Sequence, residues 1–274
     1  MINNIIKNPN FYSDNQVIYL SETHKFNDFE ENYINLRKSE KRILNDDEVK
    51  ILPETGKNHI YSKEWKIRKK STNRFLRYLK KKNSNLKILE IGCGNGWFLN
   101  KLSEIKESFV VGLDVNKIEL EQAARVFKKE NLAFIYADIF DDIFNENVFD
   151  IIVFNASLQY FTNIEKLFAQ LKKISVLNAE IHIIDTKFYA ENEKQNAQKR
   201  SEDYYKSIGF SEMLDYYNHL TFNDLSIFNS KYLYKPINNR ILKKVICKNS
   251  PFPWLVIYTK PLSNFAKKYQ YNAE

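Results

Sequence analysis

The stretch "KILEIGCGNGWFLNKL", residues 87–102, sets Gly92, Gly94 and Gly96 within five positions of a 274-residue chain that has only six glycines. Before it, Ile88, Leu89 and Ile91 form a short apolar, β-prone run; after it, Trp97, Phe98 and Leu102 recur at helical spacing. The glycines therefore join a buried strand to a helix. Glycine at such a joint permits positive φ and lets a ligand approach the backbone closely. A plain turn needs one glycine, and three carry an entropic cost that a turn alone does not require. The loop reads as a ligand cradle at a helix start.

The surroundings narrow the ligand. The dinucleotide pattern G-x-G-x-x-G fails in both registers, because Trp97 or Leu99 stands where its third glycine belongs, and no G-K-[ST] follows to make a P-loop. Glu90, at the end of the strand, repels a pyrophosphate and suits a ligand with a cationic amine. "SFVVGLDVN" is a second buried strand ending in Asp114, 18 residues past Gly96, where a carboxylate can hold a ribose diol. A third strand, "LAFIYADIF", ends in Asp138, and a fourth, "FDIIVFNASLQYF", ends at Asn155. Each strand delivers a polar residue to the C-terminal edge of a parallel sheet, the edge at which open α/β sheets bind ligands.

From Lys87 to Asp185 the chain resembles the class I S-adenosylmethionine-dependent methyltransferases, nearest the bacterial small-molecule group, on "LEIGCGNGWFL", "VVGLDVN", "YADIF" and "FDIIVFNASLQYF". The resemblance implies an α/β fold with a Rossmann-like, mostly parallel, seven-stranded sheet whose last strand is antiparallel. It implies S-adenosyl-L-methionine as cofactor. Gly92, Cys93, Gly94 and Gly96 would wrap its methionine part and Glu90 its amino group. Asp114 with Val115 would meet the ribose, Asp138 with Ile139 the adenine, and Asn155 would offer its backbone near the sulfonium.

Outside this core the organisation is read as a helical N-terminal extension (1–60), a Rossmann-like core (61–190), a tyrosine-rich helical lid (191–236), and C-terminal strands with a tail (237–274). "RILKKVICK" and "PWLVIYTK" read as a closing antiparallel hairpin. The net charge of +8 is unevenly placed. Lys87 to Ala190 holds 11 basic and 15 acidic residues, whereas 61–87 holds 11 Lys or Arg against Glu64 alone. In that segment Thr72, Phe75, Leu76 and Leu79 share one helical face, which predicts an amphipathic helix with a solvated basic side.

The two cysteines, Cys93 and Cys247, form neither a disulfide framework nor a metal-ligand spacing, so no metal is expected. No stretch reads as a signal peptide, and no apolar run reaches the roughly 18 residues of a membrane span. The expectation is a cytoplasmic protein without a transmembrane segment. Its oligomeric state is not encoded in any motif.

Substrate choice falls to the lid, where Phe188, Tyr189, Tyr204, Tyr205, Phe210, Tyr216, Tyr217 and Phe222 suit either an aromatic pocket or the lid's own core. His219 is the candidate general base for an O-methylation, since histidine titrates near neutrality, and Gln159 and Tyr160 are placed to orient an acceptor. His182, alternating with apolar residues in a strand, reads as structural. "NASL" after the fourth strand replaces the aromatic "NPPY" type of the adenine and glutamine-amide methylases, and no RNA-binding module is recognisable. The reading favours a small-molecule acceptor, aromatic, lipid-like or sugar-linked, methylated on oxygen or carbon. The alternatives are an RNA or protein methyltransferase gripping a polymer through its basic flanks, and a non-catalytic relative that binds the cofactor.

Overall fold

A computed structural model describes residues 1–82, 85–236 and 250–259. The chain begins with a short hairpin, β1 (Tyr12–Asp14) and β2 (Val17–Tyr19), then α1 (Asn27–Ser39), α2 (Asp46–Ile51) and α3 (Ser62–Leu79). Strands and helices next alternate through β3 (Lys87–Ile91), α4 (Trp97–Leu102), β4 (Phe109–Asp114), α5 (Lys117–Val126) and β5 (Leu132–Tyr136). They continue through β6 (Phe149–Asn155), α6 (Ile164–Ile174) and β7 (Ser175–Ile184), and α7 (Glu191–Ile208), β8 (Ser230–Tyr234) and β9 (Trp254–Tyr258) follow.

All nine strands form one sheet in the order β1-β2-β5-β4-β3-β6-β7-β9-β8. The run from β2 to β7 is parallel, and β1, β9 and β8 pair antiparallel at the two sides. From β3 the chain winds outward to β4 and β5, then returns to lay β6 and β7 on the other side. The order therefore reverses between β3 and β6, and a crevice opens at their C-terminal ends.

Period-2 alternation divides the core between the two faces of the sheet. Leu89, Ile91, Val111 and Ile152 pack with Leu167, Phe168 and Leu171 of α6. Ile88, Val110 and Val153 pack with Phe75, Leu76 and Leu79 of α3 and with α4 and α5. The apolar face predicted for residues 72–79 is thus the buried face of α3. Glu90 shares the face of Ile88, which places a carboxyl group among helices.

Two expectations are corrected. The sheet has nine strands among the described residues, not seven, because β1 and β2 lie within the N-terminal extension expected to be helical, and Val17, Ile18 and Tyr19 pair with Phe134, Ile135 and Tyr136. Two three-residue strands are too short to show an alternation. The strand paired with β9 is β8, drawn from the segment assigned to the lid, where exposed Ser230, Lys231 and Tyr232 hide the pattern. The hairpin partner expected at 240–248 lies outside the described residues.

A buried polar network ties α3 to β7 and β9. Glu180 accepts from the Tyr78 hydroxyl (2.9 Å), from Lys82 (2.7 Å) and from His182 Nε2 (3.1 Å), while Trp254 Nε1–H donates to His182 Nδ1 (3.1 Å). The indole donor fixes the neutral tautomer that carries its proton on Nε2. Burial alone would raise the Glu180 pKa, but hydrogen bonds from His182 and Lys82 outweigh it and bring the carboxyl down to about 2. A depressed carboxyl contributes stability above its unfolded pKa and loses it as pH falls through the folded one. Glu180→Gln is expected to cost about 2 kcal/mol at pH 7, with the difference from the parent shrinking between about pH 4.5 and 2. Thermal unfolding across that range checks this; a pH-independent difference would refute the ionised role.

Candidate functional site

The crevice between β3 and β6 is closed underneath by a close contact. The Ser157 hydroxyl donates to the carbonyl of Ile91, and a Cβ on Gly92 would lie 2.5 Å from Ser157 Cβ. Gly92 has φ +74°, so a bare Cα is required there by both conformation and space. Above it lies a cavity of about 480 Å³, in the range of small-molecule sites. Its floor is the glycine loop and the strand ends, and its roof comes from α1, α3 and the loops after β6 and α7.

The floor is acidic. Glu90 is buried (2% exposed), and its Oε2 has no hydrogen-bond partner among the described residues. Burial and repulsion from Asp114 push its pKa well above the usual carboxylate range, against opposing contributions from Asn155 and Arg68. Asp114 accepts from the Gly94 N–H (2.7 Å) and the Asn116 N–H (2.9 Å), yet burial still holds its pKa up. Glu119, on α5, packs so close to Gly94 that a Cβ there would lie 3.0 Å from its Oε2. Burial and the Asp114 charge raise its pKa to about 7. Three carboxyls thus share one cavity without enough cationic partners, and each is poised to ionise when positive charge arrives. Cys93 lines the same loop, and its thiol pKa is pushed up by burial and by these acids.

The structure brings most of the predicted residues together. Glu90, Gly92, Cys93, Gly94, Asp114 and Val115 line the cavity, as do Asp138, Ile139, Asn155 and Tyr160. Asp138 is already engaged by Lys25 (2.9 Å) and by the Phe140 N–H (3.0 Å), which ties the N-terminal segment to the sheet edge. Asn155 is buried with its Oδ1 unpaired among the described residues.

Three residues are not brought to the cavity wall. Gly96 is the N-cap of α4 at φ +71°, where a Cβ would lie 2.7 Å from the Phe134 ring and 2.8 Å from Ala123 Cβ; it seats α4 on α5 and β5. Gln159 folds back to donate to the Ala156 carbonyl (2.6 Å). His219 is buried between Tyr189 and Tyr217, with Nε2 2.8 Å from the Ser201 hydroxyl. Burial and nearby Lys194 lower its pKa, and it anchors α7 to the following loop. Of the lid aromatics expected to form a pocket, Tyr216 alone lines the cavity; Phe188 stacks on Phe222 and Tyr204 packs against Tyr205.

The roof was missed in the sequence. Phe29, Tyr33 and Arg37 recur at i, i+4 and i+8 on α1 and face the cavity, and Trp65 and Arg68 do so from α3. Phe29 packs edge-on against Tyr216 (5.0 Å) and Tyr160 (6.2 Å), so α1, the loop after β6 and the segment after α7 meet over the floor. The periodicity in "NDFEENYINLRKS" was legible, but nothing local said which surface that helix face covers.

A strand-order reversal, a glycine cradle and acids at the C-terminal ends of β3, β4 and β5 define a cofactor-binding α/β fold. The sequence model of the methyltransferase-domain family matches residues 82–240, more than half of the chain, and the chain belongs to that family, the class I S-adenosylmethionine-dependent methyltransferases. It is 32% identical over 95 residues to a malonyl-[acyl-carrier protein] O-methyltransferase of Priestia megaterium, covering 33% of this chain and 34% of that one. A protein of the same description from Halalkalibacterium halodurans is 30% identical over 125 residues, 42% of this chain and 46% of its own. The alignments thus span less than half the length of these curated relatives. The plantazolicin methyltransferase BpumL, solved with S-adenosylhomocysteine, superposes with a TM-score of 0.54 at 17% identity, covering 87% of this chain and 93% of that one. No helix among the described residues is long and apolar enough to cross a membrane.

Gly96 separates folding from binding. Gly96→Ala is expected to cost about 1–3 kcal/mol through overpacking against Phe134 and Ala123, lowering the melting temperature by several degrees. The folded variant should keep its parent's affinity for S-adenosylhomocysteine. Calorimetry that finds normal stability and lost affinity would return Gly96 to the binding surface.

Proposed function

We propose that this protein transfers a methyl group from S-adenosylmethionine to a small-molecule acceptor, on oxygen or carbon. The carrying observation is the buried Glu90 carboxyl at the strand-order reversal, whose Oε2 has no hydrogen-bond partner among the described residues, joined by Asp114 and Glu119 in one cavity. A ligand with an ammonium and a sulfonium supplies the positive charge these groups lack, whereas a pyrophosphate would add to the repulsion.

In this reading Glu90 holds the amino group, Arg68 the carboxylate of the methionine part, Asp114 the ribose hydroxyls, and Ile139 one side of the adenine. When bound, the cofactor supplies a methyl group already activated by a positively charged sulfur. The remaining work is to orient an acceptor and exclude water, for which Phe29, Tyr33, Tyr160 and Tyr216 form an aromatic roof. Among the described residues that line the cavity there is no histidine or lysine. That lining suits an acceptor that arrives ionised or needs little help from a base, such as an acidic hydroxyl or an activated carbon. The malonyl-[acyl-carrier protein] O-methyltransferases among the relatives support oxygen as the acceptor atom.

Calorimetric titration with S-adenosylmethionine and S-adenosylhomocysteine tests the reading. Both are expected to bind, and Asp114→Ala and Glu90→Gln should each weaken binding at least tenfold, about 1.4 kcal/mol. No binding to the parent protein would sink it. A second expectation follows from Glu119, with its pKa of about 7. A cationic ligand selects the ionised carboxyl, so affinity for S-adenosylmethionine should rise from pH 6 to pH 8 by up to about tenfold, with proton release. Glu119→Gln should flatten that rise; an unchanged slope in the variant would assign the pH dependence elsewhere.

A further inference from the structure

One wall of the cavity is a chain of alternating charges. Arg37 pairs with Glu40 (3.2 Å), Glu40 with Arg42 (3.3 Å), Arg42 with Glu64 (2.9 Å), and Glu64 with Arg68 (3.0 Å). All three arginines and Glu64 line the cavity. Three guanidiniums face two carboxylates along this run, and the Arg37 charge also favours ionisation of Glu119 in the same cavity. The two end arginines have a single carboxylate partner each within 4 Å, while Arg42 has two. A guanidinium presents five N–H donors, so the ends retain donors that the pairs do not use.

The two ends occupy different surroundings. Arg68 reaches the cavity from α3 beside Trp65, and its charge favours ionisation of Glu90, the carboxyl assigned above to the methionine part of the cofactor. Arg37 belongs to the aromatic roof: its guanidinium lies 4.8 Å from the Tyr33 ring centroid, and its Nη2 is 3.4 Å from the Tyr160 hydroxyl. Tyr160 in turn packs edge-on against Tyr33 and Phe29. Arg37 thus brings unused N–H donors to the aromatic part of the cavity.

We propose that the acceptor is a monoanionic, carboxylate-bearing small molecule with an apolar or aromatic body, and that Arg37 is the residue that recognises its carboxylate. The planar fork of an arginine matches a carboxylate bidentately, and the rings of Phe29, Tyr33 and Tyr160 accommodate the body. A single arginine fork with one carboxylate partner of its own suits a monoanion. A phosphate dianion would leave a second negative charge beside Glu40 and Glu119, and a cationic amine would meet Arg37 directly. This inference rests on the methyltransferase reading, since that reading divides the two ends of the chain between cofactor and acceptor.

The test uses benzoate and phenylacetate beside benzamide, benzylamine and phenyl phosphate. Each is titrated into the full-length protein with and without saturating S-adenosylhomocysteine, by calorimetry or ligand-observed NMR. The carboxylates should bind at least tenfold tighter than the amide, about 1.4 kcal/mol, and Arg37→Met should erase that preference. Arg37→Lys should restore part of it, because it returns the charge without the fork. Tyr160→Phe, a milder change, should reduce the preference without abolishing it. Unchanged affinity of Arg37→Met for S-adenosylhomocysteine shows that the variant is folded. Equal binding of carboxylate and amide, tighter binding of the amine or phosphate, no binding of any probe, or a preference that survives Arg37→Met would each overturn the proposal. Failure of S-adenosylhomocysteine to bind the parent protein would instead overturn the methyltransferase reading, and the two failures are read from separate titrations.

Discussion

The contact between Gly92 and Ser157 governs the site. Parallel strands β3 and β6 are neighbours, but their chains leave in different directions, and the backbone after each must pass the other at close range. Ser157 fills the space that a side chain at 92 would occupy and fixes the end of β3 by donating to the Ile91 carbonyl. Everything on the floor is positioned from that joint: the loop to Gly94, the carboxyl of Asp114 that accepts its N–H, and Glu119 against its Cα. A larger residue at 92 would separate the strand ends and disperse the acids that give the cavity its chemistry.

The cavity is polarised by its construction. Most of the carboxyls come from the sheet edge and from α5, with Glu64 on α3 the exception, whereas the guanidiniums come from the N-terminal segment and α3. The net positive charge of the chain is therefore not only a solvated helix face. Arg68 projects into the cavity from the same helix on which Lys63, Lys66 and Arg77 are exposed. The acidic core and basic flanks seen in the composition are brought face to face by the fold, and a ligand with charge of both signs can lie across the boundary.

How much of this was legible in the sequence depended on how local the signal was. The glycine loop, Glu90, Asp114 and Asn155 were readable because strand, turn and helix follow each other within a few residues, and alternation fixes which side chains share a face. Gly96 was readable as a glycine but not as a packing position, because its neighbours Phe134 and Ala123 are distant in sequence. His219 was chosen for its intrinsic pKa, and its burial against Ser201, Tyr189 and Tyr217 is a tertiary fact. The roof of α1, the hairpin β1–β2 and strand β8 were hidden for the same reason. Their short or polar patterns acquire meaning from the surface they meet, and that surface is encoded elsewhere in the chain.

The buried Cys93 carries a consequence for survival in the presence of an alkylating ligand. The thiolate, not the thiol, is the reactive nucleophile of cysteine. Burial and the charges of Asp114, Glu90 and Glu119 all keep the Cys93 proton in place. The acids that suit the cavity to a cationic ligand thus also keep the thiol in their midst protonated, and the loop's own cysteine is disarmed as a nucleophile by the same electrostatics.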